Sequence, residues 1–214
     1  ETHFWYRDFD KGIDWYRAHF PPIPSEEDYL TGEATPNYLE NCHTAARIYQ
    51  EFPDVKLLVI LRNPADRTIS QYYHWTRIKR ENLSLEEAIN AELEKLSKTE
   101  DVTAEKYWKQ PGNYVGRGLY VEFLQKWMEV FPREQFLILK GEDLYDSPAA
   151  TMKQVFDFLA LPDYPLSEYK RLNPGYYKLM DDSTRQLLSD YFRPYNQRLE
   201  EFLGIKFNRS EERR

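Results

Sequence analysis

Apolar positions along this chain follow two rhythms. From Val55 to Leu61 they form a nearly continuous run, broken only by Lys56, and a second run spans Gln135 to Leu139. Runs of that length, rich in branched aliphatic residues, predict strands buried on both faces of a parallel sheet. Elsewhere the spacing is helical. Ile13, Tyr16 and Phe20 share one face of a short helix over 11–20, stopped by Pro21-Pro22. Further helices are predicted over 42–52, 65–80, 117–131, 147–159 and 183–203; the fourth of these six carries Tyr120, Phe123, Leu124, Trp127 and Phe131 at helical intervals. Ser84-Leu85-Glu86-Glu87 is a capping box, opening a charged and mostly exposed helix to about Leu96. Leu30 to Glu33 is a short strand candidate. The polar stretch 97–113 reads as an irregular insertion, either a mobile loop or part of a substrate-facing lid. Strands alternating with helices predict an α/β domain, with helices on both faces of a parallel sheet.

The end of the first strong strand carries candidate chemistry. Arg62 and Asn63-Pro64 terminate it, Pro64 suits the first turn of a helix, and Asp66 complements that helix's N-terminus. In open α/β sheets ligands bind beyond the carboxyl ends of strands, where helix N-termini favour phosphate. Arg62, with Ser70 about two turns along the next helix, can converge on one anion. The same residues also describe an ordinary buried strand followed by a capped surface helix.

This Arg-x7-Ser arrangement resembles the 3′-phosphate-binding element of sulfotransferases that use 3′-phosphoadenosine-5′-phosphosulfate (PAPS). It is carried by Leu61-Arg62-Asn63-Pro64-Ala65-Asp66-Arg67 with Ser70 and Tyr72. Four further stretches follow in that family's order. Glu1-Thr2-His3-Phe4-Trp5 with Gly12-Ile13-Asp14-Trp15-Tyr16 is similar to the Lys-Glu-x-His-Phe-Phe and Gly-x-x-Trp-Tyr segments of the heparan-sulfate-type branch. Gly32-Glu33-Ala34-Thr35-Pro36-Asn37-Tyr38 resembles the next strand and turn. Arg117-Gly118-Leu119-Tyr120 precedes Trp127 and Phe131, and Asn173-Pro174-Gly175-Tyr176 leads to Pro194-Tyr195-Asn196 and Leu203-Gly204. The resemblance covers essentially the whole chain. It implies a three-layer, P-loop-NTPase-like sulfotransferase fold with a central parallel sheet, and transfer of a sulfuryl group from PAPS to an acceptor hydroxyl or amine.

Composition sharpens that picture. At 214 residues the chain fits one domain, here placed at 1–207 with a charged tail at 208–214. No apolar run reaches membrane-spanning length and no signal-peptide pattern is present. A net charge of -7 argues against a broad nucleic-acid- or polyanion-binding surface. The lone Cys42 forms no internal disulfide, whereas Golgi members of the resembled branch carry a disulfide loop before the last helix; the expectation is a cytoplasmic, bacterial-type relative. His19, His43 and His74 lack metal-like spacing with acidic or thiol partners, so no metal site is expected.

The resemblance also assigns roles. Glu1 matches the base of Lys-Glu-x-His-Phe-Phe, His3 is its hydrogen-bond partner or a substrate contact, and Glu33 is a second acid/base candidate on the acceptor side. Arg62 and Ser70 would hold the 3′-phosphate. Tyr120 with Arg117 lies near the nucleotide, and Arg171, Asn173, Gly175 and Tyr176 occupy the family's last nucleotide loop in a shifted pattern. Arg67 reads as an exposed helix charge rather than a phosphate contact. Two departures qualify the match. Glycosaminoglycan enzymes commonly have a Lys where this chain has Ala34, which favours a small-molecule, saccharide or carrier-bound hydroxyl over a long polyanion. The family's Gly-rich loop for the 5′-phosphosulfate has no counterpart in these residues. On that reading the strand-loop-helix unit of about thirty residues that carries the loop is missing, and an apolar sheet surface is expected beside the strand ending at Leu61. A non-catalytic domain on the same scaffold and a P-loop kinase relative are the alternatives; the latter has no Gly-x-x-x-x-Gly-Lys-Ser/Thr here to support it.

Overall fold

The computed structural model describes residues 1–22, 29–41, 43–108, 112–164, 168–169 and 182–207. Cys42, the 170–177 loop and the 208–214 tail fall outside them. After an N-terminal turn come α1 (Ile13–Arg17), α2 (Thr44–Glu51), β1 (Leu57–Leu61), α3 (Pro64–Arg77), α4 (Leu85–Ser97) and α5 (Glu105–Trp108). Then follow α6 (Tyr120–Met128), β2 (Phe136–Lys140), α7 (Asp143–Asp146), α8 (Pro148–Leu159) and α9 (Asp182–Leu203). Among the described residues the sheet has two strands, β1 and β2, parallel and in register from Leu57 opposite Phe136 to Leu61 opposite Lys140.

Both long strands and the main helices lie where periodicity predicts them, with ends shifted by a few residues. Three expectations need correcting. β1 is not buried on both faces: Leu57 and Val59 pack into the core, while Leu58 and Ile60 are 43% and 56% exposed. Residues 30–33 form no strand; the Glu33 side chain is used in a tertiary hydrogen bond from Thr2 instead. The described part of the stretch 97–113 is no open insertion, since it contains α5 and buries Thr103, Tyr107 and Asn113.

That last correction has a physical cause in α4. Its buried face comprises Ala88, Ile89, Glu92 and Leu96, so a carboxylate sits inside the core where burial pushes its pKa up. Four donors offset that penalty. The Tyr107 hydroxyl donates to Glu92 at 2.8 Å, and the backbone N–H groups of Tyr114, Val115 and Gly116 donate at 2.6, 2.7 and 2.8 Å. Glu92 thereby fixes the turn that leads into Arg117 and α6. At that turn a side chain on Gly118 would meet the Phe192 ring at 2.7 Å and Pro64 at 2.9 Å, so glycine permits close packing of the turn against α3 and α9.

Candidate active site

The N-terminal turn is anchored by Phe4 and Trp5, 1% and 2% exposed; Phe4 stacks on Tyr16 and Trp5 meets it edge-on. Arg47 donates to the Trp5 carbonyl at 2.9 Å. Between these anchors and the chain end, His3 adopts a left-handed backbone, φ 55°, a conformation that costs energy for a residue with a Cβ and persists only when the surroundings impose it. The Arg7 N–H donates to the His3 carbonyl at 3.0 Å, closing the turn. Its imidazole Nε2 lies 3.5 Å from a Glu1 carboxylate oxygen, and its Nδ1 lies 3.4 Å from the Tyr6 hydroxyl.

Glu33 comes to the same corner from a distant part of the sequence. Its Oε1 accepts from the Tyr38 hydroxyl at 2.6 Å and from Thr2 Oγ1 at 3.1 Å, while Oε2 accepts from Thr35 Oγ1 at 3.1 Å. Burial, and then the bond to Glu33, push the Tyr38 phenol up to about 12. Thr35 is buried and its Oγ1 accepts the His3 backbone N–H at 3.4 Å. The structure therefore brings Glu1, His3 and Glu33 into one hydrogen-bonded corner.

From this corner a line of charged and phenolic groups runs toward the end of β1. Burial raises the Tyr6 pKa, and Arg117 is close enough to oppose that shift. Arg117 Nε lies 3.3 Å from Glu40. The Glu40 carboxyl is also pushed up by burial and pulled back by Arg117 and Arg67. Arg67 is not the exposed helix charge anticipated from the sequence. Its guanidinium donates to Gln71 at 2.6 Å, to Thr68 Oγ1 at 3.3 Å and to the Tyr114 carbonyl, and its Nε is sealed from solvent. Tyr120, buried and shifted upward by that burial, senses Arg67 and lies against the Arg62 backbone.

Arg62 itself is exposed, with no carboxylate partner among the described residues. Asn63 caps α3: its side-chain oxygen accepts from the N–H groups of Ala65 and Asp66 at 2.9 and 3.3 Å. These amides are consequently engaged internally, and Asp66 pairs with Arg185 at 2.7 Å. An anion at this corner would depend chiefly on the Arg62 side chain and on Ser70, half-buried further along α3. Arg171, Asn173, Gly175 and Tyr176 lie outside the described residues. A cleft of about 350 Å³ on the other side of β2, lined by Ile138, Lys140, Asp143, Thr151, Gln154 and Lys206 among others, includes none of the residues predicted for the site.

Sequence reading did not find Thr2, Tyr38, Glu40 or Glu92. For Glu92 a signal existed: it falls on the stripe formed by Leu85, Ala88, Ile89 and Leu96. Glu40 precedes α2 without any periodicity to mark it.

Comparison with known proteins identifies the family and the fold. The family model described as the sulfotransferase domain matches residues 2–173, so the chain belongs to the sulfotransferase family. A crystal structure of a sulfotransferase from Alicyclobacillus acidocaldarius is similar at a TM-score of 0.76 and 28% identity, covering 97% of this chain and 84% of that one. The parallel-sheet α/β fold is thus the sulfotransferase fold. The membrane-associated sulfotransferase kil1 of Dictyostelium discoideum is 26% identical across 93% of this chain and 57% of its own length. The mouse (Mus musculus) heparan sulfate glucosamine 3-O-sulfotransferase 6 is 35% identical across 75% of this chain and 43% of its own length. The chain therefore spans about half the length of these curated relatives. No helix among its described residues is long and apolar enough to cross a membrane.

Proposed function

We propose that this chain carries the acceptor-side base and the 3′-phosphate site of a PAPS-dependent sulfotransferase. The observation that carries the reading is the Glu1–His3 pair, 3.5 Å apart on a turn held in a strained conformation, in a chain whose family match begins at residue 2 and includes His3. In the proposed reaction the acceptor oxygen, or an amine nitrogen, attacks the sulfur of PAPS. Its proton passes to the Glu1 carboxylate as the S–O bond to the 5′-phosphate breaks, and adenosine 3′,5′-bisphosphate leaves. His3 orients Glu1. Arg62 and Ser70 take the 3′-phosphate, with Tyr120 supporting the strand end and Arg171, Asn173, Gly175 and Tyr176 contributing from the later loop. No step in this scheme requires a metal.

The acceptor we favour is a neutral hydroxyl on a small molecule, saccharide or carrier. The heparan sulfate relatives support a saccharide, whereas Ala34 and the carboxylates at positions 1 and 33 oppose a long polyanion. The 214 residues contain no Gly-rich loop to take the 5′-phosphosulfate, so alone they are expected to be silent.

The test is sulfuryl transfer from labelled PAPS to a panel of neutral, cationic and polyanionic acceptors, run on the complete protein and on these 214 residues. Transfer to neutral acceptors by the complete protein only is the expected result. No transfer, combined with no binding of adenosine 3′,5′-bisphosphate, would leave a non-catalytic domain as the better account.

A further inference from the structure

Glu33 is already engaged on both oxygens. Three hydroxyls converge on its two oxygens, from Thr2, Thr35 and Tyr38, the shortest at 2.6 Å. A carboxylate whose two oxygens already accept from three hydroxyls is fixed in orientation and has little room left to meet an acceptor. Its partners are informative about what it does instead. Thr2 separates Glu1 from His3, and its Oγ1 also accepts the Phe4 N–H at 3.3 Å. Thr35, buried, donates to Glu33 and accepts the N–H of His3, the residue whose backbone is left-handed. Each hydroxyl in this pair has its proton on Glu33 and a lone pair on the N-terminal turn. The carboxylate therefore fixes the direction of both hydroxyls, and the hydroxyls fix the turn.

We infer that Glu33 is a positioning residue: with Thr2, Thr35 and Tyr38 it forms a clamp that holds the His3 turn so that Glu1 and His3 face one another. This rests on the reading of Glu1 as the base, and it reassigns Glu33 from a second acid/base group to the support of the first. The clamp also places segment 33–38 against the acceptor corner, so an acceptor that displaced it would disorganise the base.

Two arms test the proposal separately from the function on which it rests. In the first, on this chain, amide exchange at His3 and Phe4 and the imidazole resonances of His3 are compared between the wild type and Glu33→Gln, Thr35→Val and Thr35→Ser. Thr35→Ser keeps the hydroxyl and should match the wild type. Thr35→Val and Glu33→Gln should accelerate exchange at His3 and shift its ring signals. Unchanged exchange and ring signals in both would overturn the clamp, whatever the protein's activity. In the second arm, in the complete protein, Glu33→Gln and Thr35→Val should lower kcat on the order of ten- to a hundredfold, as expected for a base misplaced by a fraction of an ångström to an ångström. Affinity for adenosine 3′,5′-bisphosphate should hold, as should the pH at which the acid limb of kcat falls, with Thr35→Ser restoring the rate. A displaced acid limb in Glu33→Gln, with His3 exchange undisturbed, would mean that Glu33 takes the proton itself. If the wild type transfers no sulfuryl group, the proposed function fails while the exchange arm still decides whether the clamp exists.

Discussion

The two ends of the polar line are built in opposite ways. At the acceptor end the charges are closed on one another: Glu33 has three donors, Glu1 faces His3, and His3 faces Tyr6. At the other end, where the 3′-phosphate site is proposed, Arg62 projects without a carboxylate partner among the described residues, and the amides beside it are already capped by Asn63. One end is organised before any ligand arrives, the other waits for a counter-charge. This difference follows from the chemistry each end is proposed to perform. A base must be held in one orientation to act, whereas a phosphate site gains from an uncommitted guanidinium that loses no existing ion pair on binding.

The largest expected loss lies at the turn that leads into Arg117. Glu92→Ala would leave three buried N–H groups of residues 114–116 without an acceptor, and with them the approach to Arg117 and the carbonyl held by Arg67. We expect a loss of about 3–5 kcal/mol in denaturant-derived stability. A loss below about 1 kcal/mol would mean that water or a backbone shift replaces the carboxylate. Next in size, Glu1→Gln in the complete protein should reduce turnover about a hundredfold or more with nucleotide affinity intact, measured by steady-state kinetics and calorimetry. Equal losses in turnover and affinity would erase the distinction between the two ends. Arg62→Ala should act in the reverse sense. Its cost of roughly 1.5–3 kcal/mol should appear in binding of adenosine 3′,5′-bisphosphate but not of adenosine 5′-phosphate. If both nucleotides weaken equally, Arg62 does not contact the 3′-phosphate.

The smallest expected effect sharpens the acceptor side alone. Tyr38 ionises near 10.0 when unperturbed and about 12 in the fold. A folded pKa raised in this way contributes stability that is fully present below pH 10 and is lost as pH rises through about 12. Stability followed through that window should therefore fall less steeply in Tyr38→Phe than in the wild type. An identical slope would show that Tyr38 is solvated rather than held by Glu33.

How much of this was legible in the sequence depends on the range of the interaction. The strand end at Leu61-Arg62, the Asn63-Pro64 cap and the Ser84–Glu87 box are local patterns, and they appear in the structure where the sequence puts them. Glu33 is bonded to a threonine 31 positions away, and Glu92 to amides 22 to 24 positions away, so no local rhythm announces either bond. Residues 30–33 form no strand for the same reason: Glu33 is committed to the N-terminal turn through Thr2, a contact no local pattern announces. Arg67 misled differently. A charged residue next to a helix N-terminus is usually solvated, and only the arrival of Tyr114 from 47 positions away encloses it. Glu1 and His3 owed their candidacy to the family resemblance, since neither residue type nor spacing marks them on its own.

The parallel pairing of β1 and β2 also bears on how the molecule assembles. The Asn63 N–H donates to Glu142 at 2.8 Å across 79 residues of chain, next to the bond from the Gly141 N–H to the Leu61 carbonyl at 2.7 Å. Closing a loop of that length costs chain entropy before any contact rewards it, and high contact order slows folding. The capped helices α3 and α4 can form early from local information. The corner that presents Arg62 takes shape only when the second strand arrives beside the first, so the proposed anion site is among the last features of the domain to be completed as it folds.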